Sequence, residues 1–492
     1  MTAPEHLDVV VVGAGLSGIG AAARLRVEHP QRSVAVLEAR EASGGTWDLF
    51  RYPGVRSDSD MLTLGYRWRP WHGEAAMAPG AAILDYLRET AREHAVERAI
   101  RYRHRVLAAS WDGAAARWTL EVETPSGPLR LTCGFLWLCS GYYDYQRPHA
   151  PELPGRDRFA GIVVHPQFWP EELEVAGRRV VVLGSGATAV TLVPELARCG
   201  ARVTMLQRSP SYVVSLPRHD RLGARLRRWL PARTAYAVTR GRNIALAELL
   251  YRVSRRRPDL VRRRIRDWAA ARLPEGYDVD RHFGPSYDPW DQRLCLVSGG
   301  DLFQEIRDGR AEVVTGTVDT LTETGVRLED GCELPADVLV TATGLRLLAF
   351  GGVALTVDGV PVRIQDTMTY RALMLAGVPN LAFTVGYTNA SWTLKADLVA
   401  DYVCRLLAHL DAKGYRAAVP VPDPEVGRVP LLALTSGYVQ RARDRMPSQG
   451  DRDPWRLSSS YLTDRRRLPR APLDDGVLAF SGSAVSPVDR GN

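Results

Sequence analysis

Two glycine-rich turns carry the most chemistry in this sequence. Gly13-Ala14-Gly15-Leu16-Ser17-Gly18 is a complete G-x-G-x-x-G, and Gly184-Ser185-Gly186-Ala187-Thr188-Ala189 is the G-x-G-x-x-A form. In such a turn the first glycine permits the tight bend, and the second lets backbone N–H groups approach a pyrophosphate. The third small residue lets the following helix pack closely, with its positive end toward the phosphates. One copy alone is a weak signal; two, each between a strand and a helix, are a strong one. The residues behind the turns differ in charge. Glu38 stands 25 residues after Gly13, where a carboxylate accepts both hydroxyls of a ribose and repels a 2′-phosphate. The equivalent place, 24 residues after Gly184, holds Arg208 followed by Ser209, a planar fork and a hydroxyl suited to a phosphate. The first unit is expected to hold an adenosine with a free ribose, and the second to prefer NADPH to NADH. Without that context Arg208 is an ordinary surface arginine. Two dinucleotides in one chain imply electron transfer between a tightly held flavin and the nicotinamide that reduces it.

The elements that must position these residues are short β-branched runs alternating with helical patterns, as in parallel sheets covered on both faces. LDVVVVGAG (7–15) reads as a buried strand, followed by a helix to about Arg26 and a second strand, VAVLE (34–38). RVVVLGSG (179–186), a helix through about Arg198 and RVTMLQ (202–207) repeat the unit. Alternating patterns at 105–110 and 118–123 and a strand at 135–141 lie between them, and DVLVTATG (337–344) returns to the α/β pattern. The expected fold is α/β, with two Rossmann-like dinucleotide-binding domains and an Arg-rich helical insertion in the second. The FAD domain is assigned to 1–143 and 376–492, the NADPH domain to 150–215 and 286–372, and the insertion to 216–285. The last 75 or so residues give little periodic signal.

A chain of 492 residues is too long for one core, and 45% apolar with 24% charged residues is ordinary globular composition. The six cysteines are scattered without a C-x-x-C, which argues against a zinc ribbon, a dithiol motif or a disulfide framework, and no metal is expected. The N-terminus carries acids where a signal peptide would be basic, so a reduced, cytoplasmic protein is expected. The net charge of +8 is almost all arginine, densest over 218–272. Clustered arginine fits nucleic acid, but a solvated helical face combined with a general preference for arginine is the favoured reading, and no nucleic-acid partner is expected. The uncharged stretch 373–394 contains Gly377, Pro379, Asn380, Gly386 and Asn389, which suit a buried strand and loop rather than a lipid-exposed helix. No transmembrane span is assigned; peripheral membrane contact and oligomeric state stay open.

Between the two units, Phe159-Ala-Gly161-Ile-Val-Val-His165-Pro-Gln-Phe-Trp169-Pro170 matches F-x-G-x-x-x-H-x-x-x-W-P. The chain thereby resembles single-component, FAD-containing Baeyer–Villiger monooxygenases. GGTWDLFRYPGVRSDSD (44–60) is similar to that family's flavin loop, and SGATAVTLVP, YDPWDQRLCLV and VGYTNASWTLKADL resemble the subgroup containing the ethionamide-activating monooxygenase. The resemblance implies FAD and NADPH as cofactors and O₂ with a small ketone or sulfide as substrates. Ketones would give esters or lactones through a peroxide at the flavin C4a, and sulfides or thioamides would also be oxygenated. It further implies that Gly13, Gly15, Ser17 and Gly18 hold the FAD pyrophosphate and Glu38 its ribose. Gly45, Thr46, Trp47 and Asp48 would meet the flavin and Val106 the adenine. Arg293, in DQRLC, would be catalytic, with Asp58 orienting it beside the nicotinamide, while His165 and Trp169 would serve the linker between domains. The family's lysine before that arginine is here Gln292, leaving Arg208 and Ser209 as the phosphate discriminators. On residue physics alone, Arg293 reads as a structural partner of Asp288 or Asp291, Asp58 as a turn cap, and His165 as a core histidine. The rival functions are a heteroatom hydroxylase, a flavin reductase that serves a partner protein, and a nucleic-acid or membrane-surface binder acting through the Arg-rich insertion.

Overall fold

The computed structural model describes residues 4–73 and 75–482; the ends of the expected FAD domain at 1–3 and 483–492 lie outside the described residues. The first nucleotide-binding unit is strand β1 (Glu5–Val12), helix α1 (Leu16–Glu28) and strand β2 (Val34–Leu37). Downstream, β3 (Arg105–Asp112) and β4 (Gly127–Leu138) join the same mixed sheet, which has eleven strands among the described residues. β1 lies between β2 and β4, parallel to both, with Val10 opposite Ala35 and Leu136. Its VVVV run is buried because both faces of the sheet are covered, which is why the run is continuous rather than alternating. α1 is rich in Gly and Ala, so it packs tightly; a Cβ on Gly20 would lie 2.7 Å from the Tyr66 ring.

The second unit is β5 (Ile162–Val164), β6 (Arg179–Leu183), helix α2 (Ala187–Arg198) and β7 (Arg202–Gln207). Three helices follow, α3 (Arg221–Trp229), α4 (Ala232–Arg256) and α5 (Pro258–Ala270), then β8 (Val338–Thr341), β9 (Ala354–Val357) and α6 (Trp392–Lys413). The second sheet is a smaller parallel one, in which β8 lies between β5 and β6, and β6 pairs with β7.

One stretch departs from the expected division. Residues 286–372 do not all stay with the second sheet: β9 pairs with β3 of the first, Ala354 opposite Ala108. A strand as short as ALTV carries no local mark of which sheet it will join. The insertion also leans on the first domain. The Arg240 guanidinium of α4 donates to the carbonyls of Leu62 and Gly65 and faces Asp397 of α6 at 3.6 Å. The C-terminal region without readable periodicity packs into the first core through Trp455, Tyr461, Leu468 and Leu478. In the uncharged stretch, the strand Leu381–Phe383 pairs with β4, and a loop then leads to α6. Among the described residues no helix is long and apolar enough to cross a membrane.

Candidate active site

The glycine turns sit where β1 and β6 end, and both helices that follow start without a side-chain cap. Their first-turn N–H groups are thus free to face an anion. Gly13 (φ +103°) and Gly184 (φ +134°) take the left-handed conformation that the bend needs. A Cβ on Gly18 would lie 1.8 Å from the Gly13 carbonyl oxygen, so α1 rests directly on the turn. At Gly186 a Cβ would meet nothing within 4 Å, leaving backbone open to approach.

The first turn opens into a cavity of about 940 Å³ that also reaches Glu38, Gly45, Thr46, Trp47, Asp58, Val106, Ala187, Thr188 and Arg293. Ser140 Oγ and Arg56 Nε and Nη2 are buried without a hydrogen-bond partner, and both residues line this cavity. Unpaired donors, bare glycine backbone and a volume near the top of the usual ligand range suit a dinucleotide. Glu38 is buried at its rim, Oε2 accepting from the Ala14 amide at 2.7 Å and Oε1 from the Arg40 amide at 2.9 Å. Burial pushes its pKa up, and those two amide hydrogen bonds oppose the rise.

A second cavity of about 830 Å³ lies beyond, walled by α4, Trp290, Leu294 and Tyr461. Asp58, Ser59, Arg293, Leu296 and Ala390 belong to both cavities. In this partition Arg293 Nη2 meets Asp58 Oδ2 at 2.8 Å. Arg293 lies deep in the protein yet keeps 28% of its side-chain surface open, because the space beside it is cavity. Burial alone would lower its pKa, but the Asp58 carboxylate raises the value above an ordinary arginine's. The neighbouring phenols of Tyr142, Tyr143 and Tyr438 are themselves pushed up by burial and stay neutral. Asp288 and Asp291, the local alternatives for Arg293, pair instead with Arg262 at 2.5 Å and Arg255 at 2.6 Å.

Residues 7–229 match the sequence pattern of the pyridine nucleotide-disulphide oxidoreductases. The FAD-containing monooxygenase EthA of Mycobacterium tuberculosis is 52% identical over 97% of this chain and 98% of its own length. The probable FAD-binding monooxygenase AlmA of Acinetobacter baylyi is 45% identical over 97% of this chain and 96% of its own. An oxidized steroid monooxygenase bound to NADP has the same fold, with a TM-score of 0.76 and 22% identity over 97% of this chain and 100% of its own. The chain belongs to the FAD-containing monooxygenases.

Around the two cavities of this monooxygenase, most of the expected residues converge and a few do not. Ser17 lines the first cavity, but its hydroxyl accepts the Trp392 indole N–H at 2.8 Å, which leaves its backbone to serve a phosphate. Asp48 turns away. Its buried carboxylate is held by Arg40 at 2.8 Å and Arg88 at 2.9 Å, so it fastens the loop rather than facing the cavity. In the second turn, the Ser185 hydroxyl donates to the Ser209 carbonyl at 3.0 Å, and Ala189 is buried in the second core. Arg208 and Ser209 are exposed at the end of β7, and Arg208 pairs with no carboxylate among the described residues.

The fingerprint segment runs along the junction of the two sheets. Phe159 is buried, and a Cβ on Gly161 would lie 2.4 Å from its ring. β5 follows, and then His165 Nδ1 accepts the Gln167 amide N–H at 3.1 Å. Burial lowers the His165 pKa and keeps the ring neutral. The Gln167 side chain donates to the Asp144 carbonyl at 2.9 Å, Phe168 lines the first cavity, and Trp169, followed by Pro170, packs on the second core.

Several contributors were absent from the sequence reading. Tyr52 lines the first cavity together with Thr188, and burial pushes its pKa up to about 12. Arg56 reaches Asp301 at 2.6 Å, and Tyr142, Tyr143 and Tyr438 surround Arg293. Arg56 shares the GVRSD motif with Asp58, the one local signal available; the rest meet only through the fold.

Proposed function

We propose that this FAD-containing monooxygenase uses NADPH and O₂ to convert ketones to esters or lactones, the Baeyer–Villiger reaction, and that it also oxygenates sulfides and thioamides. The balance is ketone, O₂, NADPH and a proton going to ester, NADP⁺ and water. The observation that carries this reading is the Arg293–Asp58 pair standing in the partition between the two cavities. When bound, reduced flavin supplies the two electrons with which O₂ is activated. What the chain adds is charge, position and dryness. Arg293 remains cationic at every working pH, and its open edge faces the space where a carbonyl oxygen gains negative charge when the ketone is attacked. Asp58 holds one end of that guanidinium and offsets its charge while the site is empty of substrate. Tyr142, Tyr143 and Tyr438 surround it with neutral phenols. Glu38 is suited to the flavin-side ribose, Thr46 and Trp47 to the ring side, and Val106 to the adenine. Arg208 and Ser209 suit a 2′-phosphate, which supports NADPH over NADH. The FAD domain would comprise β1–β4, β9 and the C-terminal region, and the NADPH domain β5–β8. Six free cysteines fit a reduced compartment such as the cytoplasm.

Arg293→Ala is expected to keep its yellow colour and its reduction by NADPH, while ester formation from a cyclic ketone falls by about 10²–10³-fold. Gas chromatography of products from a ketone and a thioether, run in parallel, checks this. Undiminished ester from the variant overturns the role of Arg293. Sulfoxide without any ester from the parent enzyme overturns the carbonyl reaction.

A further inference from the structure

We propose that the outer face of α3–α5 docks on an anionic phospholipid bilayer and draws apolar, long-chain substrates from it into the second cavity. Buried leucine is the rule in a helix packed on a core, yet on these helices Leu222, Trp229, Val238, Leu246, Leu249, Leu250 and Leu260 are all exposed. Trp229, at the end of α3, shows 86% of its surface, an amphipathic ring of the kind that sits at headgroup depth. Leu246 and Leu250 are 56% and 43% exposed and also line the second cavity. The apolar interior is therefore continuous with the apolar surface, and its mouth opens on this face.

The charge around that mouth selects the occupant. Residues 221–272 hold sixteen arginines against three acids. Arg225, Arg228, Arg233, Arg256, Arg257, Arg263 and Arg264 are exposed and pair with no carboxylate among the described residues. A second copy of the chain would bring two such surfaces together and repel itself. A nucleic acid would use the arginines but gives no reason for a row of leucines at a cavity mouth. An anionic bilayer satisfies both, taking the leucines into its acyl boundary and the guanidiniums among its phosphates. Docking would give a hydrophobic ketone or thioether a dry path to Arg293; that second step rests on the proposed oxygenation, and docking itself does not.

The test uses the purified holoenzyme with vesicles of phosphatidylcholine, with and without phosphatidylglycerol. Sedimentation with the mixed vesicles alone, weakening as salt rises, is expected. The double variant Trp229→Ser/Leu249→Glu, at sites outside both cavities, is expected to bind about tenfold less. It should still oxidise a small water-soluble ketone normally and lose rate on a long-chain ketone embedded in the vesicles. Normal turnover of the soluble ketone keeps a failure of docking separate from a failure of the oxygenation reading. Equal binding by parent and variant, no binding to mixed vesicles, or tighter retention on duplex DNA would each overturn docking. So would a dimer in light scattering that the variant dissolves.

Discussion

A Cβ at Gly18 in the first glycine turn would lie 1.8 Å from a backbone oxygen, where the second turn accommodates the methyl of Ala189. At the equivalent middle glycines, a Cβ on Gly15 would meet Gly45 at 3.5 Å and one on Gly186 would meet nothing within 4 Å. Behind the first turn, Glu38 is buried and held by two amides; behind the second, Arg208 stands exposed without a carboxylate partner among the described residues. The same strand–turn–helix device has thus been built once as an enclosure and once as a docking edge. In the proposed reading the enclosure keeps its flavin through every turnover, and the edge admits and releases the nicotinamide.

Gly18→Ala is the harshest way to break this contrast. It drives a methyl group into the Gly13 carbonyl, so the protein is expected to purify colourless or fail to fold, read from its visible absorbance and circular dichroism. Gly186→Ala should stay yellow and fold normally, raising only the KM for NADPH. A colourless Gly186→Ala would erase the distinction. Arg208→Ala comes next. Losing a charged hydrogen bond to phosphate is expected to narrow the preference for NADPH over NADH by about 10- to 100-fold in kcat/KM, with flavin content unchanged. The smallest effect concerns acidity. The Glu38 pKa is raised by burial, so between the ordinary carboxylate range and that raised value the native apoprotein holds more protons than the unfolded chain. Its stability should therefore fall as pH rises through that window. Glu38→Gln should flatten the slope in urea titrations of apoprotein, and Arg208→Gln should leave it alone.

Both turns, their strands and the positions of Glu38 and Arg208 were legible in the sequence because each depends on neighbours within one supersecondary unit. The helix from Leu16 and the one ending at Arg198 matched for the same reason. The Arg293–Asp58 pair was not legible from residue physics, which favoured the nearby Asp288 and Asp291; only the family motif joined the two. Asp48 came to the flavin side through the family resemblance; its carboxylate meets Arg40 of the same loop and Arg88 of a distant helix, and only the second contact is non-local. The return of the chain to the first sheet at Ala354 and the grip of Arg240 on the first domain are also non-local. No pattern in either segment announces its partner.

The five residues common to both cavities have a practical consequence for anyone reshaping this protein. A substitution at Leu296, chosen to admit a bulkier guest, would also redraw the first cavity, which Leu296 and Arg293 both line. Room gained on the α4 side, at Leu246 or Leu250, touches only one chamber. Selectivity can be tuned from that outer rim without detuning the reaction.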